Sequence, residues 1–169
     1  LYGDQPAGWD IAGTKKSVLG ITRQQLLSYM KTQYVAPNTV ICITGNIPER
    51  DSILKKIEKY FSRITSREPL RKAPVVEKQK EPQCLLSYRE TDQTHLWLGT
   101  RAYNLFHPQR YAQEVLGIIL GGMMSSRLFI KIREELGLAY YIKTSVSSDT
   151  DTGYLVTQAG VDNKRVEKA

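Results

Sequence analysis

Arg133 and Tyr140 stand seven positions apart in the stretch SSRLFIKIREELGLAYYI, residues 125–142. A guanidinium and a phenol together offer several hydrogen-bond donors and no obligatory negative charge. That combination suits the holding of a carbonyl oxygen or a developing oxyanion. The elements around the pair must position it. Paired serines followed by apolar residues at helical spacing predict a helix, with Ser125 or Ser126 as its cap. Gly137 follows Leu136 where a left-handed residue closes a helix at no steric cost. Leu138 can then pack back on Ile132, and the chain leaves as a strand. A bland reading stands beside the chemical one. Arginine in a last helical turn is favoured by the helix dipole, and tyrosine in a strand is favourable packing.

The rest of the chain reads as alternating helices and strands. Residues 1–20 are rich in Gly and turn residues and are expected to be extended or irregular. Thr22, with Gln25 three residues on, forms a capping box for the helix ITRQQLLSYMKTQY. Pro37 ends that helix. TVICITG predicts a short buried strand. IPERDSILKKIEKYFSRI predicts a second helix with an apolar stripe of Ile53, Leu54, Ile57, Tyr60, Phe61 and Ile64. Residues 65–81 carry prolines and mixed charge and read as a linker. QCLLSYRE and THLWLGTRA predict two strands, and NLFHPQRYAQEVLGIILGG a helix with Pro108 at or near its first turn. AYYIKTSVSS and GYLVTQAGV predict an antiparallel pair joined through DTDTG. DNKRVEKA begins a further helix with Asp162 as its cap. The expected class is α+β, with helices packed on one face of mainly antiparallel sheets.

Composition narrows the function classes. The 169 residues carry a formal charge of +7. Much of the excess lies in the expected linker, and no basic stripe with interleaved aromatics is present, so nucleic acid is not an expected partner. No apolar run is long enough for a membrane span, and no membrane partner is expected. No leader is visible, and the expected compartment is cytoplasmic. The first residue is Leu1 rather than Met, and the last predicted helix breaks off, so an excerpt of a longer protein is expected. Cys42 and Cys84 are in no C-x-x-C pair and are expected to be half-buried free thiols.

The block GGMMSSRLFIKIREELGLAYYI resembles the glycine–serine–arginine block of the M16 family of zinc peptidases. QPAGWDIAGTKKSVLGITRQQLLSYMKTQYVAPNTVICITGNI is similar to the end of a family N-terminal domain. THLWLGTRAYNLFHPQRYAQEVLGIILGG is similar to the opening of the following domain. The resemblance implies that residues 1–64 are the C-terminal part of one M16-like domain, 65–81 a linker, and 82–169 the N-terminal part of a second. It implies that Arg133 and Tyr140 hold the substrate backbone and the tetrahedral intermediate, from the half that does not bind metal. Tyr141, next to Tyr140, leaves open which tyrosine meets substrate and is a further candidate for substrate binding. Ser126 and Arg127 are implied to be structural or subunit-facing.

The family's hydrolytic centre needs an H-x-x-E-H helix and a distant glutamate. The two histidines here, His95 in a predicted strand and His107 before a predicted helix, have no such glutamate pattern beside them. His95 is expected to be a half-buried strand residue and His107 a helix-entry residue. Glu134 and Glu135 have no histidine partner and are expected to face solvent. The resemblance thus implies a zinc endopeptidase of unstructured peptides as the parent, with the zinc-binding half upstream of Leu1. No zinc on this chain and no peptidase activity from it alone are expected. The parent is expected to work as a homo- or hetero-oligomer. The alternative is a non-catalytic partner or scaffold subunit of the same fold.

Overall fold

A computed structural model describes residues 1–47 and 49–169. Two compact units emerge, one of Trp9–Ala73 and one of Leu1–Gly8 with Pro74–Ala169.

The unit Trp9–Ala73 is helical. A short helix, α1 (Lys15–Leu19), arises where irregular chain was expected. The Thr14 side chain accepts from the Ser17 amide, and the Ser17 hydroxyl accepts in return from the Thr14 amide. A serine at the fourth position of a capping box escaped the sequence reading, which sought Glu or Gln there. In α2 (Arg23–Gln33) the expected box forms. The Thr22 amide donates to Gln25 Oε1 at 2.7 Å, and the Gln25 amide donates to Thr22 Oγ1 at 3.3 Å. Val35 follows, fully buried, and Pro37 lies in a 3-10 turn that ends the helical run. Helix α3 (Arg50–Phe61) is shorter than its predicted span, and Pro48 of that span lies outside the described residues. Ile53, Ile57 and Ile64 of the expected stripe are half-buried, while Leu54, Tyr60 and Phe61 stay exposed.

Two predicted strands do not form. Residues 39–45 and 83–90 pair with no other segment among the described residues. Val40 is 93% exposed and Leu85 96% exposed. A strand is a ladder between two segments, so β-branched composition alone does not create one. Cys42 and Cys84 lie in these segments and are free and exposed rather than half-buried.

The second unit is built on a three-stranded antiparallel sheet of order β1-β3-β2, with β1 Gln93–Arg101, β2 Ala139–Ser148 and β3 Gly153–Asp162. All three strands coincide closely with their predicted segments. Ala139, Ile142, Ala159 and Val161 form the buried cluster, and Leu96, Leu128, Phe129, Ile132 and Val166 pack on it. Helix α4 (Arg110–Gly117) starts two residues after Pro108, and its chain continues as a wide π-helical turn over Ile118–Gly122. Two glycines let this helix lie on β2. A Cβ on Gly117 would sit 2.9 Å from Val146 Cγ2, and one on Gly121 would sit 2.5 Å from the Thr144 amide nitrogen. The final predicted helix is reduced to a 3-10 turn, Val166–Lys168. Asp162 makes a local turn instead, its Oδ1 accepting from the Lys164 amide at 2.8 Å.

Candidate functional site

Arg133 lies near the end of a second π-helical segment, Phe129–Glu135. The wide turn is visible in the Leu136 amide, which donates to the Lys131 carbonyl five residues back at 3.1 Å. Single π turns are often found at functional sites because they re-aim side chains. Gly137 then closes the helix with φ +57°. The predicted serine cap does not form as drawn. The Ser126 carbonyl accepts the first helical bond, from Ile130 at 3.0 Å. Its hydroxyl is buried without a partner, and Ser125 is exposed. The Ser126 amide is itself held in a turn, donating to the Met123 carbonyl at 3.1 Å.

The Arg133 guanidinium lies over the Phe129 ring, 4.8 Å from its centroid. Phe129 is itself packed on the core, so the arginine rests on a fixed platform. Of the acidic residues beside it, Glu135 pairs with Lys131 at 2.7 Å. Glu134 and Glu135 are exposed. No carboxylate among the described residues pairs with Arg133.

Tyr140 sits at an irregularity in β2. Ala139 pairs with Val161 and Tyr141 with Gly160, so Tyr140 is an extra residue between consecutive partners, a β-bulge. It is 56% exposed. The bulge is what lets Ala139 and Ile142 both reach the core, although their spacing puts them on opposite faces of a regular strand.

Tyr141 is engaged differently. It pairs with Gly160, which pairs in turn with His95 of β1, so the three residues make one row across the sheet. The Tyr141 hydroxyl is 3.0 Å from His95 Nδ1. Its ring covers Gly160 so closely that a Cβ there would sit 2.5 Å from Tyr141 Cε1. His95 is exposed rather than half-buried. The row escaped the sequence reading. Its one signal was a glycine inside a predicted strand, which often marks a close approach.

Arg133 and Tyr140 are thus both exposed and flank one Gly137 reversal. No hydrogen bond links them, and neither lines the depression bordered by Arg101, Gln113 and Leu155. The two histidines are engaged in separate local contacts. His95 Nδ1 faces Tyr141, and His107 Nδ1 accepts from the Gln109 amide at 3.2 Å with its ring stacked on Tyr103. Among the described residues no group of three or more His, Cys, Asp or Glu side chains is placed to hold a metal. No described helix is long and apolar enough to cross a membrane.

Comparison with known proteins gives one consistent result. Residues 20–169 match the family described as "Peptidase M16 inactive domain". The uncharacterized zinc protease YmxG of Bacillus subtilis (strain 168) is 36% identical over 168 residues, which is 99% of this chain and 40% of that protein. An uncharacterized zinc protease of Mycobacterium leprae (strain TN) is 36% identical over 163 residues, 94% of this chain and 36% of that protein. Among solved structures, a peptidase M16 inactive domain from Pseudomonas fluorescens superposes with a TM-score of 0.82 at 25% identity, covering 99% of this chain and 40% of that one. The chain therefore spans well under half the length of these relatives, and it belongs to the peptidase M16 family.

Proposed function

We propose that this chain is the substrate-holding part of a zinc-dependent endopeptidase that acts on unstructured peptides. Arg133 and Tyr140 would donate to the substrate backbone and to the oxyanion formed at the scissile carbonyl. The zinc-binding half would lie outside these residues, on the same chain or on a partner subunit. By itself the chain would neither bind zinc nor hydrolyse peptides. The name "zinc protease" borne by the relatives supports a zinc enzyme as the parent. One observation carries the reading of the pair. The Arg133 fork rests on Phe129 and is not taken up by a carboxylate among the described residues. A bidentate carboxylate would saturate the donors that a substrate needs.

A second reading is favoured by the description "inactive domain" for the matched family region. In that reading the chain belongs to a partner or scaffold subunit of a homo- or hetero-oligomer. The test is kinetic, in the full-length protein with its zinc-binding half in place. Arg133→Ala or Tyr140→Phe is expected to lower kcat about 10²–10³-fold, the usual cost of one oxyanion donor. Zinc content and melting temperature are expected to hold. Wild-type kcat in both variants would leave the pair structural and favour the second reading.

A further inference from the structure

Two adjacent tyrosines compete for one direction, and the sheet contains the device that decides between them. Moving the bulge in β2 by one residue would exchange the roles of Tyr140 and Tyr141, since side chains alternate along a strand. Three features oppose that slip. The Tyr141 ring lies over Gly160, where any Cβ would meet Cε1 at 2.5 Å and Cδ1 at 2.9 Å. Its hydroxyl is held by His95 on the far strand at 3.0 Å. The two rings lie tilted by 33° with centroids 6.1 Å apart, so the histidine also borders the tyrosine ring. On the core side, Ala139 and Ile142 are buried only in the bulged register. The extra residue is then Tyr140, exposed and unpaired at the mouth of the Gly137 reversal.

We infer that His95 and Gly160 are positioning residues: they seat Tyr141 across the sheet and so fix the bulge that aims Tyr140 at substrate. Neither residue needs to touch substrate. A bare glycine in the middle strand and a hydrogen-bonding partner on the edge strand are both required, because the ring must pass over β3 to reach β1. This inference rests on the proposed role of Tyr140.

The test uses the full-length protein with its zinc-binding half and a peptide substrate, well below the melting temperature. Gly160→Ala is expected to lower kcat about 10- to 100-fold with little change in KM, since a displacement near 1 Å costs on that order. His95→Phe, which keeps a ring and removes the hydrogen-bonding nitrogen, is expected to lower kcat several-fold. His95→Asn, whose side-chain amide can donate or accept, is expected to recover most of that loss. A merely structural role would follow melting temperature in every variant and show no such recovery. If Gly160→Ala does not fold, the His95 pair carries the test. Tyr140→Phe is the reference. If Tyr140→Phe is impaired while the His95 and Gly160 variants turn over at the wild-type rate, the positioning role is overturned and the reading of Tyr140 stands. If Tyr140→Phe itself turns over at the wild-type rate, both are overturned.

Discussion

The Leu138 amide donates to the Ile132 carbonyl at 2.9 Å, six residues back across Gly137. A Schellman closure on an α-helix spans five residues from carbonyl to amide. Here the last turn is π-helical and the closure takes in one more. The bond ties the residue before Arg133 to the start of β2. This requires Gly137 at φ +57°. A Cβ at Gly137 would meet nothing within 4 Å, so the cost of a side chain is conformational rather than steric. Gly137→Ala is expected to lose about 1–2 kcal/mol of stability. Gly137→Asn should lose less, because asparagine tolerates the left-handed region. Urea denaturation of the two variants measures both, and equal stability of Ala and Gly at this position would remove the cap from the account.

Gly117 and Gly121 both face β2 but should respond differently to alanine. At Gly121 the new Cβ would lie 2.4 Å from Thr144 Oγ1 and 2.5 Å from the Thr144 backbone nitrogen. Backbone cannot step aside without opening the sheet, so a loss of about 1–3 kcal/mol or more is expected. At Gly117 the obstacle is a Val146 methyl at 2.9 Å, which can rotate away. Alanine also gains about 1 kcal/mol of helix propensity over glycine there. Gly117→Ala is expected to be near neutral by thermal melting. A larger loss at Gly117 than at Gly121 would mean that the helix is seated otherwise.

Much of this architecture could be read from residues alone, where the determinant was local. Thr22 and Gln25 specify a helix start by themselves, and Gly137 specifies a stop. THLWLGTRA, and AYYIKTSVSS with GYLVTQAGV joined through DTDTG, located all three strands to within a residue. Failures came where the determinant lies elsewhere in space. TVICITG and QCLLSYRE have strand composition, but a ladder needs a second segment, and they pair with none among the described residues. The order β1-β3-β2 and the bulge at Tyr140 depend on register, which composition does not encode. For the same reason the resemblance implies Arg133 and Tyr140 as candidates, while the different settings of Tyr140, at the bulge, and Tyr141, in the row through Gly160, appear only in the register.

The sheet also predicts how this chain behaves in solution. β1 and β2 each pair only with β3 among the described residues, leaving two outer edges of unpaired backbone groups. Trp97 and Leu98 on β1 are exposed. Long apolar edges recruit strands from other copies. Light scattering is expected to give a mass above one chain that rises with concentration. Leu98→Lys, which places a charge on the edge strand, should shift that mass toward the single chain. A one-chain mass for the unaltered sequence at high concentration would show that these edges are protected.

Replacing Arg133 by lysine separates its charge from its shape. Lysine keeps the positive charge but has no planar fork, and it stacks less well on an aromatic ring. If Arg133 serves only the helix dipole, charge is all that matters, and Arg133→Lys should match wild type in both stability and turnover. If the guanidinium donates to a carbonyl and its oxyanion, the geometry of the fork matters. Arg133→Lys should then retain only part of the wild-type kcat and Arg133→Ala still less, each in the full-length protein with zinc bound. Stability should barely register either change. The guanidinium–Phe129 contact at 4.8 Å is exposed, and such contacts contribute about 0.5–1 kcal/mol. The decisive comparison is kcat against melting temperature for the three side chains at this position. A fall in melting temperature that parallels the fall in kcat would assign Arg133 to the fold. A graded loss of kcat at constant melting temperature would assign it to the substrate.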